Sequence, residues 1–211
     1  MDIRRWFGEP NYTEKTENKY GEENKIEIKL SECDQNVEDN TKMYRIKVFT
    51  DGSALRNGQP GCKYGGVGVF FGKEDPRNIS KGIIKLGITN NQCEMIAVYL
   101  AIRTLKHCEK EITRCHIQIY SDSEYTINVI TKWAPTWKKN GWKKKGGEIK
   151  NLKIIQSILE ELKGLRYEFK HIKAHTKPKY HTGEHFDNWY GNHMADLFAH
   201  SSAQKVKKST S

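Results

Sequence analysis

The segment "YRIKVFTDGS" (residues 44–53) alternates apolar and polar residues and then reaches an Asp-Gly pair. This pattern predicts a strand that ends in a turn. The next two segments, "GGVGVFFGK" (65–73) and "SKGIIKLG" (80–87), predict two further strands. The folded part of the chain is therefore expected to begin as a three-stranded meander.

After Asn90 the apolar period lengthens from two residues to between three and four. Met95, Val98, Ala101 and Leu105 follow this spacing and predict an amphipathic helix over about 90–107. Beyond it the sequence predicts a strand over 115–122, a helix over 123–134 stopped by Pro135, a helix over 149–164 ending at Gly164, a fifth strand over 166–175 and a helix over 192–204. The order β-β-β-α-β-α-α-β-α predicts an α/β fold, a mixed sheet with an antiparallel edge and covering helices.

Charge divides the 211 residues into two parts. Residues 1–42 carry eleven acidic and seven basic side chains, a net charge of −4, and only "KIEIKL" (25–30) alternates enough to fit a short strand. We expect a disordered acidic leader over 1–42, a folded domain over 43–203 and a basic tail over 204–211. The remainder carries a net charge of +14. That charge favours an anionic partner, nucleic acid before membrane; a merely soluble basic surface is the alternative.

The sequence contains no apolar run long enough to span a membrane and no secretory signal at its start. Its five cysteines are scattered, with no C-x-x-C pair: Cys33, Cys62, Cys93, Cys108 and Cys115. They predict free thiols in a reducing compartment, cytoplasmic or nuclear, rather than a disulfide framework.

Four carboxylates are candidates for a shared site. Asp51 and Asp122 end the first and fourth predicted strands, while Glu94 and Asp196 lie in predicted helices. Each has an ordinary alternative: a turn former for the two strand-end aspartates, a first-turn acid for Glu94 and a surface acid for Asp196. Gathered at one sheet edge they would repel one another, and hard divalent cations such as Mg²⁺ prefer oxygen ligands. In a basic protein this combination predicts a metal-dependent nuclease or nucleotidyl transferase.

Five motifs resemble ribonuclease H of type 1 in its cellular, eukaryotic form: "FTDGS", "TNNQCEMIAVYLAI", "IYSDSEYTINVI", "KAH" and "NHMADLFA". The resemblance covers about 43–203. It implies the ribonuclease H-like fold, a mixed five-stranded sheet in the order 3-2-1-4-5 with helices on both faces. It also implies hydrolysis of the RNA strand of an RNA–DNA hybrid, with 5′-phosphate and 3′-hydroxyl ends.

The same resemblance implies the site residues. Asp51, Glu94, Asp122 and Asp196 become ligands of two Mg²⁺ ions, replaceable by Mn²⁺, and His175 of "KAH" assists water activation or product release. Contacts to the RNA strand, which its 2′-hydroxyls distinguish from DNA, fall on Gly52, Ser53, Asn57, Asn90 and Asn91. Contacts to the DNA strand fall on Thr89, Trp133, Trp137, Lys138, Lys139, Lys143 and Asn151. From the residues alone, Asn57 also fits turn chemistry and Asn90 a helix cap.

The segment "WAPTWKKNGWKKKGG" (133–147) resembles the basic protrusion of this family, which we place at 133–150. Trp133 and Trp137 match rings that fit against deoxyribose, and the lysines would neutralise phosphates. Trp142 is expected to anchor the protrusion to its own helix. A purely structural place for Trp137 in the protrusion is the alternative.

The sequence departs from the family pattern in two places. The leader is too short and too acidic to be the N-terminal hybrid-binding domain that eukaryotic members often carry. The loop predicted at 173–190 is longer than usual, and the histidines in and beside it (His171, His175, His181 and His185) make a zinc site an alternative.

Two other functions compete with a hybrid nuclease. A transposase or integrase shares the fold, but such enzymes usually end in a glutamate where Asp196 stands and lack the protrusion. A non-catalytic hybrid-binding module is disfavoured by the four carboxylates. We expect a monomer that binds RNA–DNA hybrid.

Overall fold

The computed structural model describes residues 43–173 and 182–210. The leader 1–42, with its possible strand, lies outside them. The strands are β1 Tyr44–Ala54, β2 Tyr64–Phe70, β3 Ile79–Ile84, β4 Cys115–Ser121 and β5 Arg166–His171. They form one sheet in the order β3-β2-β1-β4-β5, which confirms the predicted order.

The pairing of the central strand β1 brings two candidate residues to one edge. β1 runs antiparallel to β2 and parallel to β4, with Phe49 opposite Tyr120 at the end of the parallel ladder. Asp51 and Asp122 lie two residues beyond these partners. Because parallel strands end at the same edge of a sheet, the two aspartates arrive there side by side.

The helices are α1 Asn90–Cys108, α2 Glu124–Asn128, α3 Ala134–Lys139, α4 Leu152–Glu161 and α5 Glu184–Lys208, with a 3₁₀ turn at Ile112–Arg114. On β2, Gly65 faces Cys93 of α1, whereas Gly66 faces Ala199 of α5. Successive strand residues point to opposite faces, so α1 and α5 cover opposite faces of the sheet. Fully buried aliphatic residues of β1, β4 and α1 fill the core between the layers. None of the described helices is long and apolar enough to cross a bilayer.

Two glycines let α1 and α5 approach the sheet closely. A Cβ atom on Gly52 would lie 2.1 Å from the backbone nitrogen of Glu94, and one on Gly68 would lie 1.9 Å from the carbonyl oxygen of Ala195. Gly68 is the cross-strand partner of Asp51. A larger residue at either position would push its helix outward. The two glycines therefore set how closely Glu94 and Asp196 approach the strand end that carries Asp51.

The prediction that Pro135 stops a helix is wrong, because helical backbone continues to Lys139. Between α2 and α3 lies a π-helical segment, Val129–Trp133, in which the Ala134 N–H bonds to the Val129 carbonyl five residues back. Proline has no N–H, and its ring crowds the preceding turn of a regular α-helix. The wider π turn accommodates the ring, so Pro135 lies in the first turn of α3.

The last helix is longer than predicted at both ends. α5 begins at Glu184, so 184–190 of the predicted loop are helical, and it runs through Lys208, so most of the predicted tail is helical too. Its first turn carries Glu184 and Asp187, which favour a helix N-terminus. The Phe186 ring lies 5.6 Å from Trp189 and 6.3 Å from Tyr190, three and four residues on.

Several elements are shorter than predicted: β2 and β3 end at Phe70 and Ile84 rather than at residues 73 and 87. β5 ends at His171 rather than at residue 175, and α4 covers only Leu152–Glu161 of the helix predicted over 149–164. Gly164 follows α4 with φ +74°, a conformation that glycine adopts without strain.

Candidate active site

Asp51 lies at the centre of the site, near the end of the central strand β1. Only 7 % of it is exposed. Burial raises its pKa to about 7, and the negative charges of Asp122, Asp196 and Glu94 push the pKa in the same direction, against one backbone hydrogen bond. The four carboxylates are therefore close enough for their charges to interact, as expected of side chains gathered at one sheet edge.

Glu94 of α1 points into the protein. Ser123 donates a hydrogen bond of 2.5 Å to its Oε2, and Thr126 donates another of 3.3 Å. Burial raises the pKa of Glu94 and so does the charge of Asp122, while the two hydrogen bonds oppose the rise. The first-turn alternative for Glu94 is wrong, because the first turn of α1 contains no acid.

Asp122 is held from two sides. The Nδ2 of Asn192 donates to its Oδ2 at 3.5 Å, and His171 Nε2 lies 3.2 Å from its backbone oxygen. Asn192 is 6 % exposed and precedes Asp196 by one helical turn of α5. Sequence reasoning missed Asn192, although its position one turn before a candidate ligand could have drawn attention to it.

The donor set suits a hard divalent cation. It consists of carboxylate oxygens, and the pKa of Asp51 is raised first by burial and further by the negative charges of its neighbours. The buried Oδ1 of Asn192, beside Asp122, has no hydrogen-bond partner among the described residues. In 43–173 and 182–210 no three acidic, histidine or cysteine side chains stand close enough to enclose one ion as they are.

Comparisons with known proteins identify the family of this chain. The family model for RNase H matches residues 43–204. The chain belongs to the ribonuclease H family. Membership indicates a hydrolase that cleaves RNA endonucleolytically in RNA–DNA hybrids.

Two relatives share more than a third of their aligned residues with this chain. Ribonuclease H of Schizosaccharomyces pombe is 36 % identical over 162 residues, which are 76 % of this chain and 54 % of that protein. Ribonuclease H of Haemophilus influenzae is 40 % identical over 133 residues, 62 % of this chain and 79 % of that protein. The chain thus spans about half the length of the fission-yeast relative.

A solved structure shows the same fold. The crystal structure of LC9-RNase H1, described as a type 1 RNase H, superposes with a TM-score of 0.60 at 24 % identity, covering 78 % of this chain and 74 % of that one.

The residues predicted to contact RNA lie around the turn that follows β1. The Oδ1 of Asn90 accepts the Ala54 N–H at 2.7 Å, and the Oδ1 of Asn57 accepts the Asn90 N–H at 3.1 Å. These bonds fix the two amides beside Ser53, whereas Asn91 is half-buried at the start of α1. The cap alternative for Asn90 is wrong, because Thr89 is the N-cap of α1. Gly52 is buried beneath α1.

Two of the predicted DNA-strand residues are joined by one glutamine. The Oγ1 of Thr89 accepts the backbone N–H of Gln92 at 3.3 Å, and the Gln92 side chain donates to the Oδ1 of Asn151 at 2.9 Å. Thr89 and Asn151, which are 62 positions apart in the sequence, thus both contact Gln92. Sequence reasoning missed Gln92.

The basic protrusion presents rings and ammonium groups together. Trp133 is 41 % exposed, and its ring lies 6.1 Å from that of Trp137 and 6.0 Å from that of Tyr125. Tyr125 of α2 was not predicted, although it follows Asp122 closely in the sequence. The protrusion lysines are exposed: Lys138, Lys139, Lys143, Lys144 and Lys145.

Backbone hydrogen bonds hold the protrusion at the end of α3. The Trp142 N–H donates to the Trp137 oxygen at 2.7 Å and the Gly141 N–H donates to the Lys138 oxygen at 3.2 Å. With Gly141 at φ +64°, these bonds form a Schellman cap. The Asn-Gly pair at 140–141 therefore ends α3 and returns the chain beside Trp137. The anchoring role expected of the Trp142 ring stays a prediction.

The histidines give no zinc site in the described part of the chain. His171 and His185 line a cleft of about 500 Å³ together with Lys170, Lys173 and Trp189. No group of three possible ligands occurs among the described residues. His175 and His181 lie outside them, so the assisting role of His175 and the zinc alternative stay untested.

Proposed function

We propose that this ribonuclease H hydrolyses the RNA strand of RNA–DNA hybrids with two divalent cations, Mg²⁺ with Mn²⁺ able to replace it. The products would carry 5′-phosphate and 3′-hydroxyl ends. The observation that carries the proposal is the buried Asp51, whose pKa is raised to about 7 among three other carboxylates. Such a concentration of charge is costly unless a cation compensates it.

Asp51, Glu94, Asp122 and Asp196 would hold the ions. Two such ions, once bound, would activate a water and stabilise the leaving oxygen of a phosphodiester. Ser123 and Thr126 orient Glu94, and Asn192 orients Asp122, so that the carboxylates meet the ions in fixed positions. His175 would assist water activation or product release.

Strand discrimination would come from two surfaces. Gly52, Ser53, Asn57, Asn90 and Asn91 would contact the RNA strand and its 2′-hydroxyls. The DNA strand would lie on Thr89 and Asn151 and along the rings of Trp133, Trp137 and Tyr125. Lysines of the protrusion, Lys138, Lys139 and Lys143 among them, would neutralise DNA phosphates.

The protein would act as a monomer inside the cell, in the cytoplasm or the nucleus. Free thiols at each described cysteine support a reducing compartment: Cys62, Cys93, Cys108 and Cys115.

Cleavage of end-labelled RNA–DNA, RNA–RNA and DNA–DNA duplexes in Mg²⁺ tests this proposal. We expect cleavage of the RNA strand of the hybrid alone. Asp122→Asn should reduce turnover below roughly a tenth of wild type, because the amide cannot supply the negative charge that holds a cation, while hybrid binding persists. Asp187→Asn, an exposed acid of α5, is the matched control and should cleave normally.

The same assay distinguishes the alternatives. Retained turnover in Asp122→Asn would contradict the two-metal assignment. Hybrid binding without any cleavage in the wild type would favour a non-catalytic module instead.

A further inference from the structure

Three side chains form a chain of hydrogen bonds at the start of α1. The Nζ of Lys85, in the turn after β3, donates to the Oε1 of Gln92 at 3.1 Å. The Nε2 of Gln92 then donates to the Oδ1 of Asn151 at 2.9 Å. All three side chains are half-buried. The bonds join residues that lie 7 and 59 positions apart in the sequence.

The direction of these bonds is dictated by the lysine. An ammonium group can only donate, whereas a carboxamide has one donating and one accepting end. Gln92 must therefore turn its oxygen to Lys85, which leaves its NH₂ group for Asn151. Asn151 must in turn present its oxygen to Gln92. The chemistry of Lys85 thus fixes an amide orientation that would otherwise be open to a flip.

The consequence appears at the far end of the chain of bonds. With its oxygen engaged, Asn151 has its NH₂ group left to meet a ligand. Thr89 is in the same condition, because its oxygen accepts the backbone N–H of Gln92 at 3.3 Å and its hydroxyl hydrogen is left to donate. Gln92 therefore donates to the oxygens of both residues, through its side chain to Asn151 and through its backbone to Thr89. The NH₂ group of Asn151 and the hydroxyl of Thr89 suit a ligand that only accepts, such as a phosphate.

The backbone at Asn151 adds to this constraint. Asn151 is left-handed, with φ +62°, and its carbonyl accepts the Ile155 N–H at 3.1 Å as α4 begins. A residue fixed there has little freedom to move as a whole, so the carboxamide orientation decides which end meets the ligand.

We infer that Lys85, acting through the Gln92 side chain, is a positioning residue that makes Asn151 present its NH₂ group, together with the Thr89 hydroxyl, to a phosphate of the DNA strand. The inference rests on the proposed role of Thr89 and Asn151 as DNA-strand contacts. Lys85 need not touch the phosphate, because its effect passes through the two amides.

The test uses hybrids with a single neutral methylphosphonate moved along the DNA strand, bound by the Asp122→Asn enzyme so that the RNA stays intact. Losing one charge-assisted hydrogen-bonded phosphate should weaken binding roughly tenfold at one position. Asn151→Ala should abolish that position-specific loss. Lys85→Met, which keeps the aliphatic stem, should reduce it to about threefold or less, and Lys85→Arg should restore it.

Lys73→Met removes the same charge from an exposed lysine in the loop between β2 and β3, and it should leave the position-specific loss unchanged. Melting curves check that each variant folds. If Asn151→Ala abolishes the loss but Lys85→Met does not reduce it, the positioning role of Lys85 is wrong, while the phosphate contact of Asn151 is still supported. If Asn151→Ala leaves the loss unchanged, or if no position is sensitive, the phosphate contact of Asn151 is wrong. The positioning role of Lys85 is then wrong as well.

Discussion

Asp51 combines deep burial with three neighbouring negative charges. Its pKa in the folded protein is about 7, against an ordinary value of 3.8. Between these two values the folded state holds a proton that the unfolded chain releases. Because the folded pKa is the higher one, the stability linked to this proton is complete below about pH 4 and is lost as the pH rises toward 7.

Asp51→Asn removes this ionisation and should therefore stabilise the metal-free protein at high pH. At pH 8 we expect the variant to melt roughly 5 °C or more above wild type, and at pH 4 the two should melt together. Melting curves in EDTA at both pH values measure the difference. Asp187→Asn should show no such gain. Equal melting of Asp51→Asn and wild type at pH 8 would contradict the high pKa.

The four carboxylates could be predicted to form a site only when their motifs were considered together, because each residue alone fits an ordinary role. Asp51 looks like a turn former and Asp196 like a surface acid until their motifs are considered together. Gln92, Asn192 and Tyr125 were missed because their contacts cross from one element to another. A hydrogen bond between side chains 59 residues apart, as in Gln92–Asn151, leaves no periodic trace in the sequence.

At the scale of elements, glycines of the sheet determine how closely the helices pack on it, and the apolar pattern of the helices does not show this. Gly68→Ala would place a methyl group 1.9 Å from the Ala195 oxygen, so α5 must move away from β2. We expect a loss of roughly 1–3 kcal/mol in the free energy of unfolding, as for other overpacked sites. Cleavage should fall too, because Asp196 moves with its helix.

Gly72→Ala is the matched control for this substitution. Its new Cβ atom would meet nothing closer than 4.0 Å, so stability and cleavage should both stay near wild type. Denaturant titration and turnover measured on both variants decide the matter. A fully stable Gly68→Ala protein would show that α5 is not seated on that glycine.

Element boundaries were predicted well where a clear period ended in a turn, as in β1 and α1. The predicted boundaries were wrong where the local backbone accommodated a residue that usually breaks a helix. Pro135 is a strong breaker in isolation, but the π segment before it removes the clash. The start of α5 was missed because its first turns were assigned to a long loop, although Phe186, Trp189 and Tyr190 follow the three- and four-residue spacing of a helix.

The protrusion is an element whose lysines should act on binding rather than on chemistry. Replacing Lys138, Lys139, Lys143, Lys144 and Lys145 by Ala should flatten the dependence of log K on log salt by about two to four, since each phosphate that the protein no longer neutralises lowers the slope by about one. A control lacking Lys73, Lys110, Lys163, Lys205 and Lys208 loses the same charge outside 133–150. Filter binding across a salt series compares the two variants. Equal slopes would contradict the proposal that the protrusion lysines contact the DNA phosphates.

At the scale of the whole molecule, a chain with a positive net charge carries an acidic site. The chain carries a net charge of +10, yet its four site carboxylates lie together at one sheet edge. The positive field attracts an anionic duplex, while the acidic centre repels the same phosphates unless cations intervene. Hybrid binding and ion binding are therefore expected to support each other.

This opposition also makes the folded state sensitive to divalent ions. An ion that binds only the folded protein stabilises it by about 2.7 kcal/mol at a hundredfold excess over its Kd, which should raise the melting temperature by several degrees. The rise should be larger at pH 8 than at pH 6, because below its pKa of about 7 Asp51 holds a proton that competes with the ion.

Melting curves in Mg²⁺, in EDTA and in NaCl of equal ionic strength separate ion binding from screening. Asp122→Asn, which lacks one of the four proposed ligands, should respond less to Mg²⁺ than wild type does. An equal rise in NaCl, or in that variant, would mean that Mg²⁺ acts on the surface and not at the four carboxylates.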